Sequence, residues 1–171
     1  MKLWVFSSKN IKNIQLGHKA RKWAVAPNER ARVESQKTTK SEMMTINSRG
    51  MLYCKQTKAF HVPFYTESMP VPGSIESEIW PEPWILPFQI RPLTPYWSKR
   101  LPLEKARELL HDTFQYRDLL PGMSFAFTCE EISDSDWLRI RGYFDVVGEE
   151  PPMTEEVEPN PIVRRLLRDL V

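Results

Sequence analysis

Only two cysteines occur in the 171 residues, Cys54 and Cys129. They lie far apart and in no CxxC spacing, so no disulfide scaffold or zinc site is written into the chain, and a reducing cytoplasm suits it. Histidine is also scarce. His18, His61 and His111 stand in separate segments without HExxH spacing, which gives no reason to expect a metal. No GxxxxGK[ST] stretch is present to cradle phosphates, and no GxSxG to make a nucleophile elbow. Acids are plentiful, yet none pairs beside a lysine on a strand as a nuclease centre requires, and Glu104–Lys105 reads as a solvated helix pair. No apolar run approaches the roughly 18 residues of a membrane span, and the opening MKLWVFSSKN turns polar too soon for a signal peptide. With no catalytic residue, metal or cofactor indicated, the expectation is a binding module and not an enzyme.

Hydrophobic residues make up 41 % of the chain, enough to build the core of one domain with a short appendage. The net charge of +2 hides an asymmetry. Residues 1–40 carry ten Lys/Arg against two acids, Glu29 and Glu34, whereas 145–158 hold six acids and no base. A basic end is what a polyanion uses, although a solvated surface has the same composition. The basic candidates for phosphate contact are Lys9, Lys12, Lys19, Arg21, Lys22, Arg30 and Arg32.

The periodicity predicts strands over 2–7, with Leu3 and Val5 on one face and Trp4 and Phe6 on the other, and over 22–26, 58–66, 84–91 and 123–129. Short strands are also expected at 43–46 and 51–54, around a turn at Asn47–Gly50, and Pro63 is expected to place its strand at an edge or a bulge. Helices are predicted over 11–20 (weakened by Gly17), over 102–111 with Leu103, Ala106, Leu109 and Leu110 on one face, and over 134–141 capped by Ser133. Residues 28–41 read as a loop or a short helix, and 68–83 as a long Pro/Gly/Ser/Glu loop. Short strands interrupted by a few helices indicate an α+β fold: a curved, partly closed sheet or open barrel flanked by helices. The divisions expected are one domain over 1–147 and an acidic, Pro-rich linker with a short C-terminal helix over 148–171.

Six tryptophans are many for this length. Trp4 and Trp137 fall inside periodic elements and read as core. Trp23 opens a strand after a basic helix end, and Trp80 and Trp84 bracket the proline-stiffened WPEPW. Rigid indoles can sandwich a flat base, and such stacking is worth about 1–3 kcal/mol per base. Internal packing of the same rings, as in a protein-interaction module, is the alternative.

At these residues the chain resembles the YTH domain, a PUA-like family related to EVE domains. The matching stretches are FSSKNIKNI at 6–14, KWAVAPNE at 22–29 and WPEPWILPF at 80–88. The resemblance implies a PUA/YTH-like fold and a cage for N6-methyladenine with Trp23, Trp80 and Trp84 as walls. It implies base-edge contacts from Ser8, Asn10, Asn13 and Ala24, the last through its main chain only, since the family often has Ser or Cys there. It also resembles the N-terminal reading module of archaeal McrB-type, modification-dependent restriction proteins. That implies methylated DNA as ligand, read by base flipping, with a nucleotide-driven motor domain and a nuclease subunit as partners. A reader of N6-methyladenine in RNA is the alternative.

Overall fold

The computed structural model describes residues 2–27, 31–114, 128–148 and 150. Among them the order is β1 (Lys2–Ser8), α1 (Ile11–Ala20), β2 (Lys22–Val25), α2 (Ala31–Ser41), β3 (Arg49–Cys54), β4 (Ala59–Thr66), β5 (Ile75–Glu76), β6 (Trp84–Pro92), β7 (Arg100–Pro102), α3 (Leu103–Leu109), α4 (His111–Phe114), β8 (Thr128–Glu131) and α5 (Asp134–Tyr143). The main sheet runs β2-β6-β4-β3-β1-β8, with β5 on β6 and β7 on β4. β1 and β3 pair in parallel, which requires the long crossover through α1, β2 and α2. All the other pairs are antiparallel.

Both faces of this sheet are covered, and the sequence of β1 shows why. Its successive residues are apolar, so alternation sends Trp4 and Phe6 into one core and Leu3 and Val5 into another. The first core gathers Ile14 from α1, Trp23 from β2 and the even-numbered residues of β6 from Trp84 to Ile90. The second packs Ala106 of α3, Leu110 just after it, and Trp137 and Ile140 of α5 on the opposite face. Each fully buried large side chain contributes about 1.5–3 kcal/mol, so both layers are needed to hold a sheet of this length.

Two bulges bend the sheet. One shifts the β3–β4 register between Gly50 and Leu52, where Val62 takes a φ of 48°. The other shifts β2–β6 between Trp23 and Val25, where Leu86 takes a φ of 55°. The result is the curved, open sheet with flanking helices expected from the sequence.

Several local expectations change. Pro63 does lie in a bulge, but β4 is a central and wholly buried strand, and the Pro63 carbonyl accepts from the Leu93 N–H at 2.8 Å. Residues 43–46 form no strand: Met43 and Ile46 face solvent, Met44 and Thr45 face inward, and the chain turns at Asn47 with a φ of 64°. The 28–41 segment is helical from Ala31. The helix expected over 102–111 is α3 followed by the separate turn α4. Ser133 caps α5 as expected, its Oγ accepting from the Asp136 N–H at 3.1 Å. Of the strand expected over 123–129, residues 123–127 lie outside the described residues. So does the linker and helix region apart from Gly148 and Glu150.

Candidate nucleic-acid interface

The turn after β1 sets the first wall. The Ser8 hydroxyl donates to the Asn10 carbonyl at 2.9 Å and tightens the turn. Asn10 adopts an extended conformation, and its Oδ1 accepts from the Asn13 N–H at 2.9 Å, which starts α1. The helix stops at Arg21, in the left-handed region at φ 52°, whose N–H donates to the carbonyls of Gly17 and His18. That stop turns Trp23 back beneath the helix. A Cβ at Gly17 would lie 2.7 Å from Trp23 Cε3, so Gly17 is the bare surface that seats this indole. The sequence showed Gly17 only as a weak point in a helix.

Trp80 and Trp84 come from the other side. Glu76 pairs with Trp84 in the β5–β6 ladder and accepts from Lys22 Nζ at 3.1 Å and from the Glu78 N–H at 3.0 Å. The Glu78 N–H first, and Lys22 after it, hold the Glu76 carboxyl below the usual carboxylate range. This ties the loop that leads to Trp80 onto β2. The Trp80 Nε1–H then donates to the Asn13 carbonyl at 3.0 Å, so the helix cap and the proline loop meet.

The three rings converge. Trp80 and Trp84 are stacked at 4.2 Å between centroids and 5° between planes. Trp23 meets them edge-on, at 5.6 Å and 82° from Trp80 and at 5.4 Å and 84° from Trp84. Their exposures are 1 % for Trp23 and 3 % for each of the others, so the rings fill the space between them. A base placed between Trp80 and Trp84 needs about 7–8 Å, two van der Waals contacts of about 3.5–4.0 Å each. At 4.2 Å the stacked pair leaves no such gap. The Trp84 Nε1–H is buried with no acceptor among the described residues. A buried donor left so costs about 1–3 kcal/mol until an acceptor arrives.

The other candidates divide. Asn13 is half-buried beside Trp80, and its side-chain amide makes no hydrogen bond among the described residues. Ala24 is buried at the β2–β6 register shift. Ser8 and Asn10 are occupied in the turn and cap. Lys9, Lys12, Lys19, Arg21 and Arg32 are exposed, Lys22 is engaged by Glu76, and Arg30 lies outside the described residues. Away from this region, His111, Asp112 and Asp136 place possible ligand atoms within 4.8 Å. Arg139 already fills that role, with Nη1 on Asp112 at 2.8 Å and on Asp136. No described helix is long and apolar enough to cross a membrane.

No protein-family model and no curated protein matches the sequence. Solved structures do match its fold. The Pho92 YTH domain in complex with m6A aligns at a TM-score of 0.55 and 10 % identity, over 87 % of this chain and 86 % of that one. The Toxoplasma CPSF4 YTH domain, in complex with a 7-mer m6A-modified RNA, aligns at 0.54 and 12 %, over 90 % and 96 %. The Mmi1 YTH domain aligns at 0.52 and 10 %, over 85 % and 98 %. Such identities carry the fold alone, and the fold of this chain is YTH-like.

Proposed function

We propose that this domain binds nucleic acid by taking an N6-methyladenine base between its indoles, and that the polymer is RNA. The observation that carries the reading is the convergence of Trp23, Trp80 and Trp84 from three separate segments, with the Trp84 N–H buried and unpartnered. RNA is favoured because the YTH-fold structures that hold m6A include a modified RNA. The reading requires no catalysis: the base is held and nothing is transformed.

Entry exchanges one stack for two. Trp80 sits on a loop, whereas Trp84 opens a nine-residue strand, so Trp80 is the wall that moves and its bond to the Asn13 carbonyl is the latch. A base in the gap regains stacking of about 1–3 kcal/mol. The methyl group adds about 0.8 kcal/mol when buried, close to fourfold in affinity. The free Asn13 amide and the Ala24 main chain supply donors and acceptors for the base edge. The exposed Lys9, Lys12, Lys19, Arg21 and Arg32 hold phosphates, joined by Arg30 and by Lys22 once it leaves Glu76. Single-stranded RNA presents its base without the few kcal/mol that flipping from a duplex costs.

The acidic, Pro-rich composition of 148–161 supports a second reading, in which 1–147 is the specificity module of a McrBC-type restriction protein and the ligand is methylated DNA. One titration separates the two. Labelled single-stranded RNA and duplex DNA, each with and without N6-methyladenine, are titrated at two salt concentrations. Tighter binding of methylated RNA, abolished by Trp84→Ala, is the expected result. Preference for methylated DNA selects the second reading. Salt-independent binding, or none, leaves the indoles as packing.

A further inference from the structure

The opposite face of the sheet holds a second aromatic cluster, built around cations. Arg49, Tyr65 and Arg91 stand side by side across β3, β4 and β6. The Arg49 guanidinium lies 5.8 Å from the Tyr65 ring centre and 5.9 Å from that of Trp137, and Arg91 lies 5.3 Å from Tyr65. Arg141 reaches in from α5 and donates to the Tyr65 hydroxyl at 3.1 Å and to the Gly148 carbonyl. Among the described residues one acid meets two of these three cations, Arg49 and Arg141. Glu150 accepts from the Tyr65 hydroxyl at 3.2 Å and from Arg49 Nη2 at 3.5 Å, and lies 3.8 Å from Arg141.

Donors outnumber acceptors here. Arg49 Nε and the Trp137 Nε1–H are both buried without an acceptor, and Arg91 has only its ring contact among the described residues. The one other buried side-chain donor or acceptor left unpartnered among the described residues is the Trp84 N–H of the indole cage. A carboxylate has two oxygens, and both are already used. A phosphate offers more oxygens in a tetrahedral arrangement, and guanidinium groups match it well.

We propose that Arg49, Arg91 and Arg141, grouped around Tyr65, form a phosphate-binding site that Glu150 occupies as an internal substitute. The phosphate is an inorganic anion or the backbone of a nucleic-acid strand. The inference stands apart from the base-reading proposal, because it concerns the other face of the sheet and needs no modified base.

The test follows the arginine Nε–H and tryptophan Nε1–H resonances of the 15N-labelled full chain by NMR. One arm adds inorganic phosphate, with sodium chloride at matched ionic strength as the blank. A second adds an unmethylated single-stranded oligoribonucleotide without terminal phosphates. Phosphate is expected to shift the Arg49 and Trp137 signals. Glu150→Gln should tighten the phosphate midpoint and Arg91→Gln should weaken it, each by about fivefold, the size of one partly exposed charge contact. Arg91 is exposed and Glu150 lies at the surface, so neither change endangers the fold. Movement of the same signals by the oligonucleotide assigns the phosphate to a strand, and response to inorganic phosphate alone assigns it to a free anion. Equal shifts from chloride, or midpoints unmoved by both substitutions, overturn the proposal.

Discussion

The two faces of one sheet carry aromatic clusters that differ in what surrounds the rings. On the first, Trp23, Trp80 and Trp84 touch one another, and among the described residues the only side-chain polar bond they make is to a main-chain carbonyl. On the second, Tyr65 and Trp137 are interleaved with arginines and a glutamate. Indoles packed on indoles suit a flat, neutral guest, because aromatic faces stack in a way that tolerates the partner's identity. Rings flanked by guanidinium groups suit an anion, because the charges are already fixed in position. Among the described residues, orphaned N–H donors mark both places and distinguish them from the remaining core.

The largest effect expected is from Trp23→Ala. This indole is nearly fully buried and seated on Gly17, so its loss should destabilise the fold by about 3–5 kcal/mol in urea denaturation. Trp80→Ala should cost clearly less, since its ring stands on a loop, yet remove discrimination between methylated and unmethylated RNA. Equal losses of stability from the two variants would mean that the indoles are ordinary core and the comparison between faces fails. Next comes Gly17→Ala. Its Cβ would press on Trp23, and overpacking of this kind costs about 1–3 kcal/mol although alanine is the better helix former. A stabilised Gly17→Ala protein would show that Trp23 is free to shift.

Much of this was legible in the sequence, and the failures have physical causes. Alternation in β1 placed Leu3 and Val5 on one face and Trp4 and Phe6 on the other, and Ser133 marked the start of α5. The convergence of the three tryptophans was expected from the resemblance; their closed stack was not, because ring spacing depends on tertiary packing. The reading of 43–46 failed because two of its four apolar or β-prone residues face water beside the turn at Asn47. The three residues of β7 are too few to show a period. The arginine cluster was invisible because Arg49, Arg91 and Arg141 meet only through strand register and the docking of α5. Charge runs drew attention to the basic end at 1–40, where Arg49, Arg91 and Arg141 do not lie.

Acidification should act on the fold through His61. His61 is buried in β4 between Thr57 Oγ1, at 2.8 Å from Nε2, and the Trp97 carbonyl, at 3.1 Å from Nδ1. Burial lowers its pKa, and Arg100 lowers it further, against main-chain hydrogen bonds with Trp97 and Lys99 that oppose the shift. The folded state therefore resists a proton that the unfolded chain accepts near the ordinary value of about 6.5. Stability from this group is complete above that pH and declines as pH falls through it toward the depressed folded value. Melting temperature should drop between pH 7 and pH 5, and His61→Gln should flatten that part of the profile.

The smallest expected effect on stability connects the cap to the cage. Asn10→Ala removes the side-chain acceptor for the Asn13 N–H, and loss of such a cap typically costs about 1 kcal/mol. The Asn13 carbonyl is also the acceptor that latches Trp80. Fraying the first turn of α1 therefore loosens the wall that the base must displace, and it moves the amide proposed to read the base edge. The two consequences oppose each other: a looser latch eases entry, while a misplaced amide weakens selection. Affinity for unmodified RNA should hold or rise slightly, and the ratio between adenine and other bases at the modified position should shrink. Asn10→Asp retains the cap and should restore both values. If Asn10→Ala lowers the melting temperature and leaves base selectivity untouched, Asn13 supports the helix only, and the base edge is read elsewhere.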